Sequence, residues 1–324
     1  MNEFGLIQRF FAEAAASRAA AKNDSMLLLG IGDDCALITP PHGQQLAIST
    51  DTLVAGRHFP LETDAYSIGW KAVAVNLSDL AAMGATPHSI LLALSLPSAD
   101  EDFLHEFSRG LFAICDQYGV QLIGGDTTRS PVLSITITVL GWLPIGQAIT
   151  RAGAQAGDLI MVTGTLGDAA YALRHPRSPL QHRLDRPLPR VAFGQALRGY
   201  ATAMLDISDG LTQDLGHIAQ ASGLDACVDV ACLPLHAVLQ RCLDDNPNHP
   251  AVLHDALAGG DDYELCFTVP EQSVAAVLAE ADRQQVQVTQ IGRMLPRQSA
   301  KTQVQLRLHQ QPFVLQQIGF QHFD

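Results

Sequence analysis

Aspartates recur in one setting along this chain: at the end of a short apolar run, with small residues beside them. Asp33 and Asp34 follow LLLGIG, Asp51 follows LAIST, Asp126 follows VQLIGG, Asp206 and Asp209 flank IS after AML, and Asp261 and Asp262 follow ALAGG. Asp79 stands inside an apolar stretch, and Ser49, Thr50 and Ser208 place hydroxyl oxygens next to these acids. A carboxylate beside buried surface is costly unless a cation answers it. The chain has only three lysines, Lys22, Lys71 and Lys301, so pairing cannot neutralise the whole set. Hard divalent cations can. Mg²⁺ takes oxygen ligands and is held by carboxylates together with substrate phosphates. The collective pattern points to several element ends converging on a multi-metal, phosphate-binding site.

Each acid taken singly also has a local reading. Asp51 and Asp209 suit helix caps, and Asp33 suits an Asx-turn. Gly30 and Gly32 let the chain turn so that Asp34 can meet acids from distant segments, while Asp33 stays open between a supporting partner and a turn former. Familiar nucleotide cradles are absent. No Lys follows a Gly, GIGDDC lacks a third glycine, and there is no HRDxxxxN, GxSxG or HExxH pattern. A nucleotide bound here is reached through metal ions held by acids.

The elements that must carry these residues follow from periodicity. Phe4, Ile7, Phe11 and Ala14 fall at helical spacing. LAIST, HSILLALSLP, GVQLIGGD and LSITITVLGWL read as strands, and residues 102–118 as an amphipathic helix. The stretch 68–85 is apolar nearly all round, hence a buried helix with Lys71 and Asp79 as its only ionisable groups. A boundary is expected in 144–157, giving domains 1–147 and 148–324. The second half restarts with strand LIMVTG and a helix near Gly167, then AMLDIS, helix DGLTQDLGHIAQAS, the GGDDYELCFTVP segment and a closing hairpin in VQLRLHQQPFVLQ. The Arg/Pro-rich stretch 174–190 is expected to be irregular.

The chain has 324 residues, is 47% hydrophobic and carries a formal charge of −13, which excludes a basic nucleic-acid footprint. Its six cysteines form no CxxC pair and no zinc pattern, so they read as buried free thiols of a reducing compartment. Glu3, Arg9 and Glu13 interrupt any signal-like apolar run at the start, and no run is long enough to span a membrane. A cytoplasmic protein is expected.

The segments STDTLVAGRHF, AVNLSDLAAMGA, LIGGDTT, DISDGL and GGDDYELCF, in that order, resemble the motifs of the thiamine-monophosphate kinase family. That family is a branch of the superfamily containing aminoimidazole-ribonucleotide synthetase and selenophosphate synthetase. The resemblance runs from GIGDDCAL to GFQHF. It implies an α/β (α+β), two-domain PurM-like fold, in which the N-terminal α/β domain pairs in a homodimer to form a shared β-barrel and a C-terminal α+β domain follows. It implies ATP-dependent phosphorylation of thiamine monophosphate to thiamine diphosphate, with several Mg²⁺ ions, no protein nucleophile, and no nucleic-acid or membrane partner. By motif position, Asp34, Ser49, Thr50, Asp51, Asp79, Asp126, Asp206 and Asp209 are implied as metal ligands. Gly125, Asp126, Arg151 and Ser208 are implied as ATP contacts, and His58, Asp261 and Phe320 as substrate contacts. Arg183, Arg186 and Arg190 are expected to form a mobile basic flap over the phosphates. Two rivals remain at this point: another ATP-dependent enzyme of the superfamily with a different acceptor, and a non-catalytic nucleotide- or metal-binding scaffold.

Overall fold

The computed structural model describes residues 3–22, 24–32, 34–247 and 249–315. Its two compact units are residues 1–80 with 85–146, and residues 81–84 with 147–324.

The first unit opens with helix α1 (Glu3–Ile7), a π-helical turn over Gln8–Ala12, and α2 (Glu13–Lys22). The sequence pattern predicts one uninterrupted stripe here. The wider π-turn shifts the register, so the adjacent Phe10 and Phe11 are both buried. The side chain of Phe4 lies outside the described ones. There follow β1 (Leu27–Leu29), β2 (Leu37–Ile38), β3 (Gln44–Val54), α3 (Ala65–Ala82), β4 (Thr86–Leu96), α4 (Glu101–Tyr118), β5 (Gln121–Arg129) and β6 (Ser134–Pro144). Asp100 caps α4 by accepting the amide N–H groups of Asp102 and Phe103, a cap worth about 1 kcal/mol. Between α3 and α4 the two backbones nearly touch. A Cβ at Gly110 would come within 1.9 Å of the Tyr66 carbonyl oxygen, so only glycine fits.

The main sheet runs β3-β6-β4-β5, antiparallel except for the parallel β4/β5 pair. Side chains alternate across it. Ile90, Leu92, Leu94, Ile135, Ile137 and Val139 are all buried on one face. The other face is open: Leu46 and Ile48 of β3 are 40% and 60% exposed. A buried polar knot ties the end of α2 to this sheet. Asp24 accepts hydrogen bonds from the Met26 amide, Gln121 Nε2 and His88 Nε2, and His88 Nδ1 in turn meets the Ser89 hydroxyl. Burial holds the His88 pKa below the usual imidazole value. Burial pushes Asp24 up, but its amide, His88, Lys22 and Gln121 partners outweigh that and leave it below the usual carboxylate range.

The second unit contains β7 (Leu159–Thr163), α5 (Asp168–Arg174), α6 (Gln181–Asp185), α7 (Val191–Ala196), β8 (Ala203–Asp206), α8 (Leu211–Ser222), β9 (Leu224–Asp229), α9 (Ala237–Asp245), α10 (Pro250–Ala258), β10 (Leu265–Val269), α11 (Val274–Gln284), β11 (Val288–Pro296), β12 (Val304–Leu308) and β13 (Gln311–Phe313). Its seven strands run β13-β12-β9-β11-β7-β10-β8. All neighbours are antiparallel except β12 and β9. Every residue of β7 and β10 is buried, as in strands covered on both faces. Of the cysteines, Cys115 and Cys266 are buried as the sequence suggests, whereas Cys35 and Cys232 are exposed; none is paired.

The Arg/Pro-rich stretch departs from the sequence reading. It contains α6, and of the three arginines expected in a mobile flap, Arg183 and Arg190 are anchored inside the unit. Glu264, fully buried, receives Arg183 Nη2 at 2.8 Å, Arg190 Nε at 2.7 Å, Arg190 Nη2 at 2.6 Å and the Thr163 hydroxyl at 2.6 Å. Arg183 Nε also reaches Asp168 at 3.3 Å. Burial alone would raise the Glu264 pKa; Arg190, Arg183 and Thr163 overcome it and hold it below the usual range. Arg186 is exposed. Removing one partner of such a buried pair costs about 3–5 kcal/mol, because the other charge stays in the core. Arg183→Ala or Arg190→Ala should therefore lower the denaturation midpoint sharply, while Arg186→Ala should fall within about 0.5 kcal/mol of the parent. Equal midpoints for all three variants would contradict the anchoring.

Candidate active site

Two groups of the implied ligands stand in the first unit. Along the edge strand β3, Ser49 and Asp51 share the face of the buried Val139 and Ile137, their cross-strand partners. The α3 helix meets them there. The Ser49 hydroxyl donates to Asp79 Oδ2 at 2.5 Å, and the Asp51 amide donates to Asn76 Oδ1 at 3.1 Å. Asn76 and Asp79 are three residues apart, hence on one helix face. Thr50 points the other way: its hydroxyl bonds that of Thr138 at 2.9 Å, so it does not join Ser49 and Asp79. The His58 side chain closes the turn after β3, with Nδ1 accepting the Val54 amide.

The second group is Asp34, Gly124, Gly125 and Asp126. These residues line a cavity of about 1280 Å³ whose apolar walls include Phe11 and Leu91. Gly125 has φ 149, and a Cβ there would lie 1.9 Å from the Leu92 carbonyl oxygen. No other residue fits, and the bare backbone leaves the cavity wall open to a ligand. Asp126 pairs across the sheet with Ala93, and Ala93 with Thr136 and Thr136 with Thr52. Asp126 therefore lies on the open face, three strands from β3, roughly 14 Å at the usual strand spacing. Asp51 and Asp126 sit at opposite edges and on opposite faces of the sheet. The single convergence that the sequence suggests is thus divided into two clusters within this unit.

In the second unit, β8 ends at Asp206 and the chain turns through Ser208, Asp209 and Gly210 into α8. This turn interlocks with the one before β10. The Asp261 amide donates to the Ser208 carbonyl at 2.7 Å, Tyr263 to Ile207 at 2.9 Å, and Ile207 to Glu264 at 2.8 Å. Ser208 and Asp261 are thereby held side by side. Asp261 and Tyr263 adopt φ 65 and 50, left-handed for residues with a Cβ. Such positions cost of order 1–3 kcal/mol and persist where the surroundings over-determine them. Gln213 Nε2 holds Asp209 Oδ2 at 3.1 Å. Asp214 is buried and its Oδ2 accepts three successive amides, from Ser208, Asp209 and Gly210, at 3.1, 3.0 and 3.1 Å. Burial, with repulsion from Asp209, pushes its pKa up to about 7 against those amides.

Asp262, grouped by sequence with Asp261, turns into the core, where both its oxygens accept the Gly167 amide at 3.1 and 3.0 Å. Burial raises its pKa well above the usual range. Arg151 is exposed in the same unit. Asp33 and Phe320 lie outside the described residues. Sequence reasoning missed Asn76, Asp214 and Glu264. Asn76 had a signal, as a lone amide on the Asp79 face of an otherwise apolar helix. Asp214 looked like any polar residue of an amphipathic helix.

Among the described residues no three His, Cys, Asp or Glu side chains already enclose an ion site. The donors themselves are all oxygens, the set a hard cation takes when phosphate and water oxygens complete its shell. No helix of the described residues is long and apolar enough to cross a membrane.

Residues 32–143 match the N-terminal domain of the AIR synthase related proteins, and residues 155–305 their C-terminal domain. The thiamine-monophosphate kinase of Salmonella typhimurium is 49% identical over 304 residues, 90% of each chain. The crystal structure of the thiamine-monophosphate kinase from Stenotrophomonas maltophilia is 44% identical, with a TM-score of 0.83 over 92% of this chain and 95% of that one. AaThiL complexed with AMPPCP and TMP is 29% identical, with a TM-score of 0.73 over 96% of each chain. The interlocked turns, the glycine-walled cavity and these likenesses place the chain in a single family: it belongs to the AIR synthase related proteins and, among them, to the thiamine-monophosphate kinases.

Proposed function

We propose that this protein transfers the γ-phosphoryl group of ATP to thiamine monophosphate, giving ADP and thiamine diphosphate. The observation that carries the reading is the 2.7 Å bond from the Asp261 amide to the Ser208 carbonyl. It locks the turn assigned to ATP and metal against the turn assigned to the thiamine substrate. The names of the relatives support it, and so does AaThiL, which was solved with AMPPCP and TMP.

The nucleophile is a phosphate oxygen of the substrate, already ionised near neutral pH. No protein base is needed, and the task of the chain is in-line positioning and charge neutralisation. Asp34, Ser49, Asp51, Asp79, Asp126, Asp206 and Asp209, with Thr50 beside them, would hold Mg²⁺. When bound, Mg²⁺ neutralises and aligns the phosphate oxygens. Asn76 fixes the backbone at Asp51, and Gly125 opens the cavity wall beside Asp126. The Arg151 guanidinium offers a fork for phosphate oxygens. Asp261 supplies a negative charge to the cationic thiazolium, with His58 as a second contact. Residues 1–147 carry most of these metal ligands and the dimer contact, residues 148–324 add Asp206 and Asp209, and the free thiols fit a reducing cytoplasm.

A homodimer is supported by the open sheet face, where the exposed Leu46 and Ile48 lie on the edge strand β3. Unpaired edges of this kind are normally covered. Ile48→Lys should convert a dimer to monomers in analytical ultracentrifugation; an unchanged sedimentation coefficient would count against this face. For the reaction itself, ATP, Mg²⁺ and thiamine monophosphate are incubated with the protein and thiamine diphosphate is measured. Product stoichiometric with ADP is expected. ATP turnover that proceeds equally without the thiamine substrate, and yields none of the diphosphate, would reject the reading. Asp51→Asn and Asp126→Asn should each keep the fold and lower kcat by about 10²-fold or more.

A further inference from the structure

The turn from Asp206 to Gly210 carries three of the residues proposed to face metal and nucleotide, yet a loop of small residues has no rigidity of its own. The stiffness comes from one side chain. Asp214 Oδ2 accepts the amides of Ser208, Asp209 and Gly210, at 3.1, 3.0 and 3.1 Å. This is not ordinary helix capping. A cap residue stands before the helix and accepts amides of the first helical turn. Gly210 occupies the cap position of α8 and offers no side chain. Asp214 instead sits inside the first turn of α8 and reaches back to amides that precede the helix. What it shapes is the loop.

The clamp extends further through the backbone. The Ser208 carbonyl that follows from this arrangement accepts the Asp261 amide at 2.7 Å, and Ile207 exchanges bonds with Tyr263 and Glu264. Asp261 and Tyr263 are held at φ 65 and 50 by that pairing. A relaxed Ser208 carbonyl would release Asp261 from its left-handed conformation. One carboxylate thus governs the geometry of both turns.

We infer that Asp214 is a positioning residue for both substrates: it fixes Ser208 and Asp209 toward metal and nucleotide and, through the Ser208 carbonyl, aims Asp261 at the thiamine substrate. This inference rests on the function proposed above. It deepens that reading by assigning a role to a side chain that touches neither metal nor substrate.

The test compares Asp214→Ala, which removes all three acceptor bonds, with Asp214→Asn, which retains one acceptor oxygen in the same place. Mn²⁺ binding in the presence of a non-hydrolysable ATP analogue is measured by electron paramagnetic resonance, alongside KM for ATP, KM for thiamine monophosphate, kcat and Tm. The expected pattern is a joint rise in both KM values and weaker Mn²⁺ binding, about tenfold or more for Asp214→Ala and smaller for Asp214→Asn. If Asp214→Ala does not fold, the Asp214→Asn variant carries the test with the same joint signature. A lowered Tm with unchanged Mn²⁺ affinity and unchanged KM values would make Asp214 merely structural and overturn the inference. So would a rise in the KM for ATP alone, because the link to Asp261 would then be absent. The outcomes separate from failure of the proposed function: an inactive parent protein rejects that function, whereas the Mn²⁺ comparison still reads the clamp.

Discussion

A carboxylate set against an apolar sheet must be answered by donors, a cation or a proton, and this constraint organises the whole chain. The structure answers the deeply buried acids internally. Glu264 has two arginines and a hydroxyl, Asp24 has an amide, a glutamine and a histidine, Asp262 has the Gly167 amide, and Asp214 has three amides. Asp34, Asp51 and Asp126 are instead exposed, and Asp79, Asp209 and Asp261 half-exposed. Of the internal acids, Asp214 and the backbone of Glu264 hold the turns that carry Asp209 and Asp261. Burial sorts most of these acids into two tasks, architecture within the core and the proposed phosphate–metal chemistry at the element ends. Asp206 crosses this division: it is buried, yet it belongs to the set proposed to hold metal, so burial separates most of these acids and not all of them.

The sorting explains why the arginines of 174–190 matter to stability. Arg183 and Arg190 neutralise Glu264, and Glu264 lies three residues beyond Asp261 on the chain entering β10. Its backbone carbonyl also accepts the Ile207 amide. The ion cluster and the interlocked turns are consecutive links of one support. A side chain buried in the core can thus brace the backbone of a half-exposed acid such as Asp261.

Much of this was legible in the sequence. Alternation of apolar residues identified β4 and β6, the apolar stretch 68–85 identified α3, and the motif order implied the family. The placement of the acids was legible only in part. Ser49 and Asp79 do meet, but Thr50 turns to Thr138 because successive strand residues face opposite sides. Asp261 and Asp262 are neighbours in sequence, yet one stands half-exposed beside Ser208 and the other turns into the core. Arg183 and Arg190 looked like a solvent-side flap because composition cannot reveal a buried partner 74 to 81 residues away. The π-turn over Gln8–Ala12 left no pattern that a 3.6-residue period detects.

The claim that the exposed and half-exposed acids act on phosphate through a metal ion can be measured directly with ATP bearing one sulfur on a non-bridging β-phosphate position. The two diastereomers are compared by kcat/KM for thiamine diphosphate formation, first with Mg²⁺, which prefers oxygen, and then with Cd²⁺, which prefers sulfur. Direct metal contact predicts that the favoured diastereomer reverses between the two ions. The same preference with both would contradict it.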